Sequence, residues 1–280
     1  METLDIRNDF VFKKIFGKKG NEEILQDFII SVLDIPIKTI KVDRDTYLEK
    51  TVKDNKLGIL DIKATLNDDT VVNIEMQMDN YHNMKERSLF YWAKLYGDTL
   101  ETGQDYLQNK RTITINILNY NLFKDGPYHD ITRLRRDYNN AVLTEDVEIH
   151  FIQLPKCREE DIKTKLDLWV QYLGNRSERG VKKAMESNEK IRKAQEELEY
   201  LSGDEEARRI AFLREKAIRD EINNMNGARR EGIEQGKKKG RKEGRKEKTL
   251  EIAKKLKEMN MSTEDIEKAT GLTREEIERL

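Results

Sequence analysis

All three prolines of this chain, Pro36, Pro127 and Pro155, fall in its first 155 of 280 residues, and beyond Tyr172 the only aromatic side chains are Tyr200 and Phe212. Helix-breaking and bulky rigid residues are therefore confined to one part of the sequence, and the remainder is free to run as uninterrupted helices. We read residues 1–157 as a mixed α/β core and 158–226 as a charged helical region suited to dimerisation. Residues 227–248 follow as a Gly-punctuated basic segment, and 249–280 as a small helical element. A chain of this length can bury a sizeable core in one domain or two. Its 53 basic and 54 acidic residues nearly cancel, so local runs of charge say more about partners than the total does.

The lone Cys157 excludes an internal disulfide framework and a cysteine zinc site, which fits a reducing cytoplasm. No apolar run approaches the ~20 residues needed to span a bilayer, and METLDIRNDF lacks the regions of a signal peptide. The expectation is a cytoplasmic protein with no membrane association.

Val11 and Ile15, then Ile24, Phe28 and Val32, recur at helical spacing on either side of Gly17 to Gly20. Segments 38–51, 57–66 and 70–78 alternate and are rich in β-branched residues, so they read as successive strands. A helix over 83–101, a buried strand over 111–120 and β-like stretches near 128–138 and 145–154 complete an α/β/α pattern. Farther on, Ile162, Leu166, Trp169 and Leu173 form one helical stripe, and Ile191, Ala194, Leu198 and Leu201 another. A third, Ala207, Ala211, Ile218, Ile222 and Met225, is narrow enough for helix-on-helix packing between chains.

The chemistry concentrates in two alternating strands. In LGILDIKATL, Asp61 shares a face with Lys63 and Thr65, while Ile62, Ala64 and Leu66 take the other; in VVNIEMQM, Glu75 and Gln77 share a face opposite Ile74, Met76 and Met78. Asn67, Asp68 and Asp69 make a short polar turn that sets Leu66 opposite Thr70, and counting outward sets Asp61 opposite Glu75. Opposed carboxylates have Cβ atoms ~5 Å apart and repel unless a cation or proton intervenes, which favours a hard divalent ion. The same spacing also suits two solvent-facing acids on a half-exposed sheet, and a slip of one residue would separate the faces.

Asp61, a thirteen-residue gap and then Glu75-Met76-Gln77 resembles the PD-(D/E)XK nuclease pattern, with Gln at the usual Lys position. The chain further resembles the Rpn-type recombination-promoting nuclease and transposase family of that superfamily. The likeness rests on NDFVFKKIFG (8–17), ILQDFIISVL (24–33), LGILDIKATLNDDTVVNIEMQ (57–77), the helix with Arg87, Tyr91 and Tyr96, and the glycine-punctuated tail.

That resemblance implies a restriction-endonuclease-like α/β/α core with a mixed sheet, followed by an extended all-α C-terminal region. It implies a DNA phosphodiesterase using Mg2+, or Mn2+ or Ca2+, and no organic cofactor. Asp61, Glu75 and the Met76 backbone carbonyl would hold the ion, and Gln77 would orient the attacking water. A neutral amide cannot stabilise phosphorane charge as an ammonium can, so Lys63 or Lys13 is the candidate source of positive charge, or a phosphate contact. Arg87 and Tyr91, four apart on one helix face, would touch the DNA backbone or brace the acids. His82, His129 and His150 form no ligand spacing and receive no role.

Lys237, Lys238, Lys239, Arg241, Lys242, Arg245, Lys246 and Lys248, against Glu243 and Glu247, make a phosphate-binding footprint. Gly232, Gly236, Gly240 and Gly244 recur every four residues through it, which suits either the close approach of a partner helix or a flexible solvated linker. The last turns carry Glu275, Glu276 and Glu278, so a terminal base-reading helix is not expected. The leading expectation is a metal-dependent DNA endonuclease of low sequence specificity, a homodimer, linked to recombination, mobile elements or defence. The alternative is a non-catalytic DNA- or partner-binding protein on a nuclease-derived scaffold. A transposase proper is disfavoured for want of an acidic triad.

Overall fold

The computed structural model describes residues 3–43 and 62–280. Asn8 opens the first helix, α1 (Asp9–Phe16), its side-chain oxygen accepting from the backbone N–H of Phe10 and Val11. Helix α2 (Glu22–Leu33) follows and ends on Asp34 in the left-handed conformation. Strands β1 (Ile40–Asp43), β2 (Ile62–Leu66) and β3 (Val71–Gln77) come next, then α3 (Met84–Gly97), β4 (Thr112–Leu118), β5 (His129–Arg133) and β6 (Val147–Gln153). Helices α4 (Lys165–Gly174), α5 (Glu178–Ser187) and α6 (Glu189–Ser202) precede a 54-residue helix, α7 (Glu205–Glu258). Two short helices close the chain, α8 (Thr263–Thr270) and α9 (Arg274–Glu278).

The strands form one mixed sheet in the order β1-β2-β3-β4-β6-β5. The first three are antiparallel, β3, β4 and β6 run parallel, and β5 returns antiparallel at the far edge. Parallel strands need both faces covered, and the burial pattern shows it: every residue of β4 and β6 is buried.

One face carries Ile62, Ala64, Ile74, Met76, Ile113, Ile115 and Ile117, joined in a single cluster with Phe12 and Phe16 of α1, Phe28 of α2 and Trp169 of α4. Trp169 packs against Phe16 and Phe28 with ring centroids 5.7 Å away in both cases, and its indole N–H donates to Asp27 at 2.9 Å. Burying so large a ring is favourable only because that one polar atom finds a partner. The other face carries Leu118, Val147, Ile149 and Phe151, covered by Met84 and Trp92 of α3. Helices on both faces of a mixed sheet are the expected α/β/α arrangement.

Two compact units are present, 1–215 and 216–280. The first runs past the boundary read at residue 157, because Leu173, Ala184, Ile191, Ala194, Leu198 and Ala211 enter the same core as the strands. Helix α5, which the periodicity reading passed over, is capped by Ser177 and buries Ala184. The second unit has its own small cluster of Ala253, Ile266, Leu272 and Ile277. Ser262 caps α8 and the Thr273–Glu276 capping box opens α9, both as read from sequence. The glycine-punctuated stretch is continuous helix rather than linker. Among the described residues no helix is long and apolar enough to cross a membrane.

Candidate active site

The β2–β3 hairpin is closed by a turn in which Leu66 N–H donates to Thr70 O at 2.9 Å and Asp69 sits in the left-handed region at φ 64°. Asp tolerates that conformation better than most residues, and the Asp68 carboxylate accepts from Thr70 N–H at 3.1 Å to hold the bend. The pairs that follow are Thr65–Val71, Ala64–Val72, Lys63–Asn73 and Ile62–Ile74. This is the register counted from the sequence. Asp61, which that count sets opposite Glu75, lies outside the described residues.

Glu75 is only 3% exposed. The polar face of β3 is therefore closed to solvent at Glu75, where Arg87 of α3 faces it, while Lys63 and Thr65 of β2 stay half-buried. Arg87 on α3 places its Nε 3.5 Å from Glu75 Oε2, and its guanidinium stacks over the Tyr91 ring at 5.3 Å. The helical i,i+4 pair thus stands beside the acid, with Arg87 facing Glu75 and Tyr91 facing Arg87. Lys63 instead has its ammonium 3.7 Å from Asp43. Lys13 lies on α1, whose Val11, Phe12, Ile15 and Phe16 pack against the apolar side of the sheet.

Along β3 and β4, parallel pairing sets Asn73 beside Thr114 and Glu75 beside Asn116. All four are buried, and so is a set of polar atoms with no hydrogen-bond partner among the described residues: both amide atoms of Asn73, Thr114 Oγ1, Asn116 Oδ1 and the Tyr120 hydroxyl. Each such group costs about 1–3 kcal/mol, so this many around one carboxylate calls for something that they serve. Tyr120 is pushed up to about 12, chiefly by burial; the Arg87 charge opposes this and the Asp79 and Glu75 carboxylates add to it. It is a neutral donor throughout the physiological range.

Gln77 sits at the half-buried end of β3, its amide N–H donating to Asp79 O at 3.3 Å. The Met76 side chain is in the apolar core, leaving only its backbone available to a ligand. The cluster around Glu75 offers carboxylate, amide, hydroxyl and carbonyl oxygens and no thiol or imidazole, a donor set that suits a hard cation. Among the described residues no group of three or more acids, histidines or cysteines could hold a metal ion.

A second polar cluster escaped the sequence reading. Glu148 on β6 accepts from Arg111 and Arg133, both at 2.7 Å, and His150 Nε2 lies 2.9 Å from its carboxylate. His150 Nδ1 is 2.8 Å from His129 Nε2, with the two rings stacked. Burial works against the charge on Glu148, yet hydrogen bonds from His150 and Arg111 and the charge of Arg133 hold it down at about 2. Burial, then the neighbouring His150, keeps His129 neutral down to about 4. The alternation of Glu148 and His150 along β6 is the feature that could have revealed this cluster.

The basic residues from Lys237 to Lys248 are exposed along α7, where Lys237, Arg241 and Arg245 succeed one another at four-residue intervals with Lys238, Lys242 and Lys246 beside them. Among the described residues, a Cβ added at Gly232, Gly236, Gly240 or Gly244 would meet nothing within 4 Å.

No curated protein and no solved structure matches the chain. A family model described as PD-(D/E)XK nuclease family transposase matches residues 6–228, from the start of α1 through the sheet and α3 to the first half of α7. Nucleases of this superfamily generally use divalent metals. With most of its length so matched, the chain belongs to the PD-(D/E)XK nuclease family transposases.

Proposed function

We infer that the protein is a divalent-metal-dependent DNA endonuclease of low sequence specificity, acting in recombination, mobile-element movement or defence. The observation that carries this reading is Glu75: a carboxylate 3% exposed, on a sheet face lined with uncommitted polar atoms, in a chain of a nuclease family. A buried acid in such surroundings is expensive unless it serves chemistry.

Glu75, Asp61 and the Met76 carbonyl would hold Mg2+, or Mn2+ or Ca2+ in its place. The bound ion would supply a Lewis acid for a phosphate oxygen and a water of lowered pKa. Arg87 fixes the Glu75 carboxylate by charge at 3.5 Å, and Tyr91 holds Arg87 in turn. Gln77, at the mouth of the strand, would orient water through its amide. Lys63 and Lys13 would contact phosphate.

Low specificity is supported by the character of the charged surface. Lys237, Lys238, Lys239, Arg241, Lys242, Arg245 and Lys246 offer long flexible cations suited to backbone phosphates, which carry no sequence information. The short α9 carries Glu275, Glu276 and Glu278, unsuited to reading base edges. Two cuts on opposite strands suit a homodimer, and Phe212, Met225 and Ile233 stand exposed on α7 as material for such a contact.

The test is cleavage of supercoiled plasmid by the full chain in Mg2+, Mn2+, Ca2+ or EDTA, beside Asp61→Ala and Glu75→Ala. Nicking that needs the metal and falls by about a hundredfold or more in both variants is expected. Undiminished cutting by the variants overturns the assignment of the site. Plasmid binding with no cutting in any metal would favour the non-catalytic scaffold.

A further inference from the structure

The polar wall beside Glu75 has a property that a structural role does not account for. Asn73, Thr114 and Asn116 are each 0% exposed, in strands whose opposite face is Val72, Ile74, Met76, Ile113, Ile115 and Ile117. A sheet face that only had to pack beneath α3 would carry apolar residues at these positions, since a buried amide or hydroxyl without a partner is destabilising. Both amide atoms of Asn73, the Thr114 hydroxyl, the Asn116 carbonyl oxygen and the Tyr120 hydroxyl have no hydrogen-bond partner among the described residues. The pattern is directional: Asn116 is the register neighbour of Glu75, Thr114 is the register neighbour of Asn73, and Tyr120 shares the electrostatic surroundings of Glu75, Asp79 and Arg87.

Small divalent cations, Mg2+ above all, give up their water reluctantly and keep several water ligands when protein-bound. Those waters are strong donors that need acceptors. Neutral amide and hydroxyl oxygens supply them without adding negative charge next to a carboxylate already paired with Arg87. We propose that Asn73, Thr114, Asn116 and Tyr120 are positioning residues that receive the water ligands of a hydrated divalent cation held at Glu75, binding the ion through its water shell. This rests on the metal-dependent reading above and assigns four residues that the nuclease pattern does not contain. It also gives the site a preference for strongly hydrated ions.

The probe is Mn2+ bound to the full chain, followed by electron paramagnetic resonance, with cobalt(III) hexammine as a competitor because its inert ammine shell mimics a hydrated ion without ever losing a ligand. The variants are Asn73→Leu, Thr114→Val, Asn116→Leu and Tyr120→Phe, close in shape but lacking the polar atom. Affinity is measured at a temperature where each variant is fully folded, and the thermal midpoint is recorded separately. The expected result is a loss of Mn2+ affinity of about tenfold, largest for Asn116→Leu, with the midpoints of Asn73→Leu and Thr114→Val unchanged or raised. Cobalt(III) hexammine should displace Mn2+ from the wild type and do so less well in the variants.

Mn2+ affinity unchanged in all four variants overturns the proposal, whatever happens to the midpoints. Failure of the underlying reading looks different: Glu75→Ala then binds Mn2+ as well as the wild type, or the wild type binds none.

Discussion

Glu75 sits 3% exposed beneath α3 with a guanidinium at 3.5 Å, whereas Lys237, Arg241 and Arg245 of α7 stand in open solvent. The two regions use charge by opposite physics. Under α3 the dielectric is low, neighbours are fixed, and one misplaced or missing partner changes the energy of the carboxylate by kilocalories. Along α7 each charge is hydrated and screened, no single one matters much, and the effect on a polyanion is their sum. A site that must place a reacting atom needs the first arrangement. A surface that must hold any stretch of DNA is better served by the second.

The contrast breaks first, if it breaks, at Arg87. Replacing it with Leu leaves Glu75 buried without the cation that faces it. Removal of one member of a buried pair typically costs 3–5 kcal/mol; with the Arg87 side chain 20% exposed we expect the lower end, about 3 kcal/mol, in the free energy of urea unfolding. Divalent cation should restore much of that loss, and restore more in Arg87→Leu than it adds to the wild type, because the ion replaces the lost positive charge. An unfolding free energy within about 0.5 kcal/mol of wild type would mean that Arg87 is the surface residue its charge suggests.

On α7 the corresponding experiment changes salt dependence rather than stability. Replacing Lys237, Lys238, Arg241 and Arg245 with Ala removes four potential phosphate contacts. At about 0.9 per contact, the slope of log affinity for duplex DNA against log salt becomes shallower by about 3 to 4 units. Titrations at 50 and 200 mM salt should then differ by about a hundredfold less than in the wild type. A slope that does not move places the DNA surface elsewhere.

Much of the hairpin was legible because alternation and the Asn67 to Asp69 turn both constrain register, and the pairing of Lys63 with Asn73 and Ile62 with Ile74 agrees with the count. What could not be read was the cover over the polar face. Alternating polar and apolar residues look the same whether the polar side meets water or a helix, and Arg87, Leu89 and Phe90 on α3 give no clean apolar stripe; Leu89 and Phe90 are in fact exposed. The wall residues were missed for a related reason. TITINIL over β4 alternates Thr and Asn with Ile in a strand buried on both faces, a pattern easily taken for β-propensity when its real content is a polar lining. Helical periodicity found α4 and α6 but not their destination. Trp169 and Leu198 bury against residues more than a hundred positions away, which local spacing does not encode.

The smallest effect concerns the four glycines of α7. In an exposed helix each Gly is about 0.8–1.0 kcal/mol worse than Ala, and an added Cβ at Gly232, Gly236, Gly240 or Gly244 meets nothing within 4 Å among the described residues. Taken alone, the helix gains from Ala at every one of these positions, so glycine recurring every four residues is a cost that requires a benefit outside the single chain. Close approach of a second α7 is such a benefit, because a row of missing Cβ atoms lets two backbones meet. Gly236→Ala and Gly240→Ala should therefore raise helicity by circular dichroism while weakening self-association in sedimentation equilibrium. If both variants gain helicity and the mass distribution does not change, the glycines do not mark a helix–helix contact and the dimer must be sought on another face.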